Sequence, residues 1–306
     1  MSKKLVISLS AVFALFVMCA VIALMSCEKP IIADEDESGA TKGNLRVSVF
    51  QIEKTPFASF TRAANNATTR ASEAASAVVT RLNFAIYDQA VLRLKQVNQE
   101  TSAADFGHAS FQLEEGTYQL VVVGHSANGN PTMTNPAKIQ FTNATGYTDT
   151  YIYYSEVTIG EDAVDMQVSL DRIVALCRFV VTDDIPADVC KMQFYYTGGS
   201  GAFDAATGLG SVASKQTVTV DVTDGSQKQF DLYTFLHEQS DNIALKVTAL
   251  DASGNALDER EFDVPMEQNH ITWLSGEFFN GSGSSSTTIT GVTVNTDWAG
   301  ETYLTF

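Results

Sequence analysis

The sequence has few of the residues that build catalytic and metal sites. It contains four histidines and four cysteines in 306 residues, and the histidines are scattered without the spacing of metal ligands. The glycine-rich run at 198–201 lacks a P-loop lysine, and residues 124–128 lack the last glycine of a nucleophile elbow. We therefore expect no catalytic residue, no metal site and no diffusible cofactor, and predict that the chain is not an enzyme.

Basic residues are also scarce. The chain has 19 Lys and Arg against 36 Asp and Glu, which gives a formal net charge of −17. Such a chain repels nucleic acid, so we expect no nucleic-acid partner. Helical periodicity is nearly absent, and only residues 72–77 and the region around His237 hint at a helix.

Long apolar runs are limited to one. Residues 5–25 are apolar and follow Lys3 and Lys4, the arrangement of a secretory signal peptide. Leu24-Met25-Ser26-Cys27 ends the run and resembles the lipobox of bacterial lipoproteins. That resemblance implies cleavage before Cys27, a diacylglycerol on its thiol and an acyl group on its new amine. An uncleaved signal anchor is the alternative, because about 20 apolar residues can span a bilayer.

Two cysteines would remain beyond the lipidated one. Cys177 and Cys190 lie on strand-like runs that flank a turn-like stretch at 182–186. If the two runs pair around Asp183 and Asp184, the cysteines fall opposite each other and a disulfide can form in an oxidising compartment. The alternative is two small buried residues with free thiols.

The rest of the chain predicts an all-β protein. Short runs with period-2 alternation follow one another with turn signals between them, the pattern of β-sandwiches. After the signal peptide (1–26) and an acidic flexible tether (27–43), we expect an N-terminal sandwich at 44–164 and a C-terminal sandwich at 165–280. The length fits two such domains.

The last 26 residues differ from the domains. A Gly/Ser linker begins at Gly281, and strand-like residues that favour burial follow it. They are Ile289, Val292, Val294, Leu304 and Phe306. Such a strand either folds back on its own domain or pairs with another subunit.

Several segments together resemble the FimB-like fimbrial lipoproteins of the Bacteroidota. They are Leu170-Asp171-Arg172-Ile173-Val174-Ala175, Phe194-Tyr195-Tyr196-Thr197-Gly198-Gly199-Ser200-Gly201, Tyr233-Thr234-Phe235, Val264-Pro265-Met266-Glu267-Gln268-Asn269, and Phe111-Gln112-Leu113-Glu114-Glu115-Gly116-Thr117-Tyr118. The resemblance implies two tandem transthyretin-like β-sandwiches. It also implies a role in type V pili, whose subunits join by β-strand addition.

In that family a stalk subunit loses its first strand when a protease cuts after an arginine, and a neighbour's C-terminal strand fills the groove. Carried over to this sequence, 44–52 is the first strand, Arg62 or Arg70 the cleavage site, and the tail from Thr287 the donor strand. The expectation is an outer-membrane anchor that stays uncut, is exposed at the cell surface and donates its tail to other fimbrial subunits. A cleaved stalk or tip subunit is one alternative. A surface lipoprotein that binds host glycans or proteins through loops such as 197–210 is another.

Overall fold

The computed structural model describes residues 44–53, 72–223, 225–280 and 298–306. Nineteen strands and one short helix, α1 (Ala75–Val78), account for its regular structure. The first ten strands are β1 Leu45–Glu53, β2 Ser72–Glu73, β3 Arg81–Tyr87, β4 Arg93–Glu100, β5 His108–Phe111, β6 Gly116–His125, β7 Thr132–Asn135, β8 Lys138–Gln140, β9 Thr150–Ile159 and β10 Val164–Arg172. The remaining nine are β11 Ala175–Val181, β12 Lys191–Thr197, β13 Ala202–Phe203, β14 Gln216–Asp221, β15 Gln229–Thr234, β16 Ser240–Leu250, β17 Ala256–Glu267, β18 His270–Gly276 and β19 Gly300–Thr305.

The first sandwich is built around a central first strand. β1 runs parallel to β10 on one side and antiparallel to β5 and β2 on the other. The facing layer is an antiparallel sheet in the order β9-β6-β3-β4. The end of β10 pairs with the start of β9 and so joins the two layers.

The core of the first sandwich follows from strand alternation. Leu45 and Val47 on β1 point to the same face, because side chains two residues apart share a side of a strand, and both are at most 1% exposed. They pack with Leu82 and Phe84 of β3 and Leu120 of β6. β6 lies between β3 and β9, and its residues 120–125 are all buried, as the continuous apolar run predicts for a central strand.

The second sandwich packs two four-stranded sheets face to face. One has the order β15-β11-β18-β19 and the other β14-β12-β16-β17. Pro265 lies on β17, an edge strand, where the missing N–H of proline is tolerated. Phe179 of β11 lies at the centre of the shared core and contacts the rings of Phe194, Phe262 and Phe278. The all-β sandwich fold expected from the sequence is therefore confirmed.

A third apolar cluster joins the two sandwiches. β13, from the glycine-rich loop of the second sandwich, pairs with β8 and completes a small sheet with β7. Phe203 of β13 is fully buried, and its ring centroid lies 4.7 Å from that of Phe235. These rings share a cluster with Val121 and Val123 on the outer face of the first sandwich.

Four elements differ from the sequence-based expectation. β4 was not expected, because its residues are polar. The strand-like run that carries Cys177 extends back to Met166 in the sequence, but 166–181 is two strands in different sheets, separated at Ile173 and Val174. The expected domain boundary at Asp165 falls inside β10, whose pairing with β1 and β9 carries the first sandwich to Arg172. The region around His237 contains no helix.

The central position of β1 generates a stability prediction. Leu45→Ala removes a fully buried side chain and should lower the free energy of unfolding by about 2–5 kcal/mol. Its neighbour Arg46 pairs with Asp165 at the surface, so Arg46→Ala should cost at most about 1 kcal/mol. Urea denaturation of both variants measures the difference. Equal losses would mean that β1 does not hold the core together.

Candidate functional site

Several residues singled out from the sequence lie outside the described part of the chain. They are Cys27, Arg62, Arg70, Ile289, Val292 and Val294. The described part does contain Leu304 and Phe306, at the end of the chain. The candidate site is therefore the sheet edge on which these two residues lie.

The C-terminal strand folds back on its own domain. β19 runs parallel to β18, in register from His270 opposite Gly300 to Ser275 opposite Thr305. It is the outermost of the described strands of its sheet. The backbone N–H of Phe306 continues the ladder by donating to the carbonyl of Ser275 at 3.1 Å. The sequence left open whether this strand folds back on its own domain or pairs with another subunit. In the single chain it folds back on its own domain.

Alternate residues of the strand enter the core. Leu304 is 5% exposed and belongs to the core of the second sandwich. The ring of Phe306 stacks on Phe179 with centroids 5.1 Å apart, and lies 4.7 Å from the ring of Phe262. Two side chains, spaced two residues apart, therefore complete the packing between the sheets at this edge.

Two glycines permit the close approach of the strand. A Cβ at Gly276 would lie 2.0 Å from the carbonyl oxygen of Phe306, and one at Gly300 would lie 2.4 Å from the ring of His270. Both distances are below any normal contact. A larger residue at Gly276 would collide with backbone, and one at Gly300 would force the His270 ring to move.

The outer face of the same pair carries a row of aromatic and charged groups. Tyr303 of β19 stacks on Trp273 of β18 at 5.8 Å with nearly parallel rings. The guanidinium of Arg178 lies 4.9 Å from the Trp273 ring and donates two hydrogen bonds of 2.7 Å to Asp231. These bonds are the main reason that the pKa of Arg178 lies above its usual value. Cross-strand pairs of this kind stabilise adjacent strands.

A buried arginine fixes the residues immediately before β19. Arg172 is 7% exposed and donates to both carboxylate oxygens of Asp149, at 2.8 and 2.9 Å, and to the Tyr151 hydroxyl at 2.6 Å. Its guanidinium lies 3.9 Å from the ring centroid of Trp298, which is itself buried. Burial lowers the pKa of Arg172, but the bonds to Asp149 outweigh it and the pKa is raised.

The same arginine also reaches the turn between β17 and β18. Its side chain donates to Asn269 Oδ1 at 3.2 Å. Asn269 has a φ of 59°, in the left-handed region that asparagine tolerates better than most residues. Its backbone carbonyl accepts from the N–H of Ala299 at 2.7 Å. The turn therefore holds Arg172 on one side and the start of the tail on the other.

The Asp183 carboxylate binds the backbone at the end of the second sandwich. Asp183 accepts hydrogen bonds of 2.7–2.8 Å from the backbone N–H groups of Phe278, Phe279 and Asn280. Burial raises the pKa of Asp183, but these bonds lower it more, so the net shift is downward. In the sequence, Asp183 stood out only as part of the turn-like stretch at 182–186.

The two remaining cysteines do not form the expected pair. Cys177 lies on β11 and Cys190 directly before β12, and these strands belong to different sheets, so the flanking runs do not pair around Asp183. Both thiols are free. Burial raises the pKa of the Cys177 thiol to about 12, so it is an inert core residue.

A cleft lies close to the Arg172 cluster. It has a volume of about 680 Å³. Its lining includes residues 205–208 of the glycine-rich loop, Tyr154, Glu267 and Gln268.

Among the described residues, no group of three or more His, Cys, Asp or Glu side chains is arranged to hold a metal ion. No helix in the described part of the chain is long and apolar enough to cross a bilayer.

Sequence reasoning missed Arg172 and Asp183 as organising residues. Arg172 lies inside a segment that was noted only for its resemblance, and its hydrogen-bond partners are 21 to 97 residues away in the chain. A lone arginine in an apolar run, unusual for a strand interior, was the available signal.

Comparison with solved structures finds similar β proteins. An adhesin candidate from Bacteroides ovatus has a TM-score of 0.44 and 15% identity, over 60% of this chain and 76% of that one. The fimbrial anchor protein Mfa2 from Porphyromonas gingivalis has a TM-score of 0.39 and 15% identity, over 71% and 80%. A fimbrial assembly protein from Parabacteroides distasonis has a TM-score of 0.38 and 14% identity, over 76% and 89%. Similarity this low does not determine a function.

No protein with a curated description matches the sequence. A family model does match, and it spans both sandwiches and the C-terminal strand, from residue 37 to residue 305. The chain belongs to this family, DUF6562, a family of unknown function.

Proposed function

We propose that the chain is a lipid-tethered structural subunit of a bacterial surface fimbria, and that it anchors the polymer to the outer membrane. The observation that carries the proposal is the seating of β19. A terminal edge strand, separated from β18 by residues 277–299, fills the core with the alternate residues Leu304 and Phe306. Alternate side chains that fill pockets beside a backbone ladder are the recognition mode of β-strand addition.

The first strand and the proposed lipid support the anchor role. β1 occupies the centre of its sheet, with a partner strand on each side. While β1 stays in place, the first sandwich has no groove there for a neighbour's strand. A subunit that donates its tail and accepts none would end the polymer, and the lipid on Cys27 would hold that end at the outer membrane.

A second candidate function is binding of host glycans or proteins. The cleft of about 680 Å³ supports it, because the cleft combines a tyrosine with carboxylate and amide groups and includes part of the 197–210 loop. A protein with this function alone needs no donor strand. Loss of attached fimbriae in a deletion strain, with host-surface binding unchanged, would separate the two functions.

The donor strand generates the first prediction. In the native organism, Leu304→Asp with Phe306→Asp should release fimbriae from the cells into the medium, because charged side chains cannot fill an apolar pocket in a neighbouring subunit. Thr305→Asp, on the half-exposed residue between them, should leave attachment close to normal. Electron microscopy of cells and immunoblots of the medium measure the effect.

The double variant and the control are compared at equal abundance of the chain in the outer membrane, since Leu304 and Phe306 also pack in their own domain. Firmly attached fimbriae in the double variant at that abundance would contradict the donor role.

The lipid tether generates the second prediction. Intact mass and N-terminal peptide sequencing of the native protein should give an acylated Cys27 on a chain that is uncut at Arg62 and Arg70. Cys27→Ala should move the chain out of the outer-membrane fraction. A free N-terminus at Ala63 or Ala71 would contradict the anchor role and indicate a cleaved stalk or tip subunit.

A further inference from the structure

The hairpin between β3 and β4 exposes a concentration of aliphatic side chains. Among the described residues, four large hydrophobic side chains are exposed, and three of them lie in this hairpin. They are Val91 at 44%, Leu92 at 63% and Leu94 at 44% exposure. We refer to residues 88–94 as the hairpin tip. Scattered single hydrophobic residues are normal on a surface, whereas a cluster marks an interaction site.

The hairpin tip is a fixed turn. The N–H of Asp88 donates to the carbonyl of Leu92, and the N–H of Val91 donates to the carbonyl of Asp88, both at 3.0 Å. The Asp88 carboxylate accepts from the N–H of Leu92 at 2.9 Å. Gln89 also donates to the carbonyl of Thr117 at 3.3 Å. The aliphatic side chains are therefore presented on an ordered support.

Val91 occupies a backbone position that disfavours it. Its φ is 57°, in the left-handed region where a β-branched residue is an outlier and where glycine or asparagine is usual in such hairpins. The side chain is exposed, so packing within the described fold does not offset this strain. An aliphatic residue gains free energy here only by burial against something outside the domain.

The hairpin tip lies at the end of the sandwich where the N-terminal segment enters. Asn44, directly before β1, accepts at its side-chain oxygen from the N–H of Leu113 at 2.9 Å. Thr117, four residues after Leu113, is the acceptor for Gln89 of the tip. The strand registers support this placement. Leu45 at the start of β1 lies opposite Val164 at the start of β10, and Ile159 at the end of β9 lies opposite Gly116 at the start of β6.

This placement identifies the partner. We propose that the hairpin tip inserts its aliphatic side chains into the lipid bilayer to which the chain is tethered, and so orients the sandwich on the membrane. The inference rests on the proposed lipid at Cys27. Only residues 28–43 separate Cys27 from Asn44, so Asn44, at the same end of the sandwich as the tip, stays within about 60 Å of Cys27. Because the tether keeps the tip near the bilayer, insertion is effectively an intramolecular step, and a weak affinity of the tip for lipid is sufficient.

Apolar contact, and not charge, drives the insertion. Arg93 and Lys95 flank the aliphatic residues, but Glu114, Glu115 and Glu161 lie at the same end of the sandwich. Anionic lipid should therefore add little attraction. Insertion should be equally strong in phosphatidylcholine vesicles and in vesicles with added phosphatidylglycerol, and it should be insensitive to salt.

Depth-dependent fluorescence quenching tests the proposal. The full chain, with Cys190→Ser and Leu92→Cys, is isolated from the outer membrane, labelled with an environment-sensitive fluorophore and reconstituted into phosphatidylcholine vesicles that contain nitroxide lipids. The label at position 92 should shift to the blue and be quenched. The matched control is Leu257→Cys, because Leu257 is 43% exposed but lies in the second sandwich. Its label should stay in water.

Two further substitutions, each added to the chain that carries the label at position 92, separate insertion from folding. Leu94→Ser should weaken quenching of the label at position 92, because each leucine removed lowers partition into lipid about tenfold. Val91→Asn should weaken quenching while the denaturation midpoint stays equal or rises, since asparagine relieves the backbone strain. A fall in the midpoint would instead show that Val91 packs within the fold, and would overturn the proposal.

The lipid tether and the insertion fail in different ways. If Cys27 is acylated and the label at position 92 remains in water, insertion is wrong and the tether stands. Loss of fimbrial attachment in Leu92→Ser without any lipid contact at position 92 would make the tip a protein-docking surface and also overturn insertion. If Cys27 carries no acyl group, the tether is wrong, and quenching of the label by vesicles added to the chain still decides whether the tip inserts.

Discussion

The structure depends on one buried charge. The guanidinium of Arg172 must be paired, because an unpaired buried charge costs several kcal/mol. Its partners come from three parts of the chain: Asp149 and Tyr151 in the first sandwich, Asn269 in the turn before β18, and Trp298 before the last strand. Removing a partner of such a cluster typically costs about 3–5 kcal/mol. The cluster therefore ties the first sandwich to the second and positions the start of β19.

The last strand is held differently from the strands inside the sheets. Among the strands that the structure describes, β19 has a single neighbour, β18, and lies at the edge of its sheet. Exposed strand edges invite pairing with other chains, and here the chain's own end covers the edge of β18. The core side chains Leu304 and Phe306 supply the apolar contact, while Gly276 and Gly300 allow the backbone to approach. An equivalent strand from elsewhere would need the same spacing of two apolar residues.

Alternation of apolar residues was enough to predict the all-β sandwich fold and most strands. It failed where the sequence signal and the environment differ. β4 is an edge strand of mostly exposed polar residues, so it carries no apolar face. β10 and β11 form one continuous strand-like run in the sequence, and the break at Ile173 directly follows Arg172, which pairs across the two sandwiches. The parallel pairing of β1 with β10 and of β19 with β18 joins segments far apart in sequence, and local patterns contain no information on it. Apolar spacing did identify Leu304 and Phe306, but not whether the strand would lie on its own domain.

The most direct test is a disulfide that locks the last strand in place. Ser275 and Thr305 are opposite each other on β18 and β19, close enough for a disulfide between adjacent strands. Ser275→Cys with Thr305→Cys, in a chain with Cys190→Ser, should form an intramolecular bond. Cells that carry this variant should lack attached fimbriae under oxidising conditions and regain them when a reductant is present during assembly. Normal attachment by a chain whose last strand is fully locked would contradict the proposal that this strand joins the anchor to the fimbria.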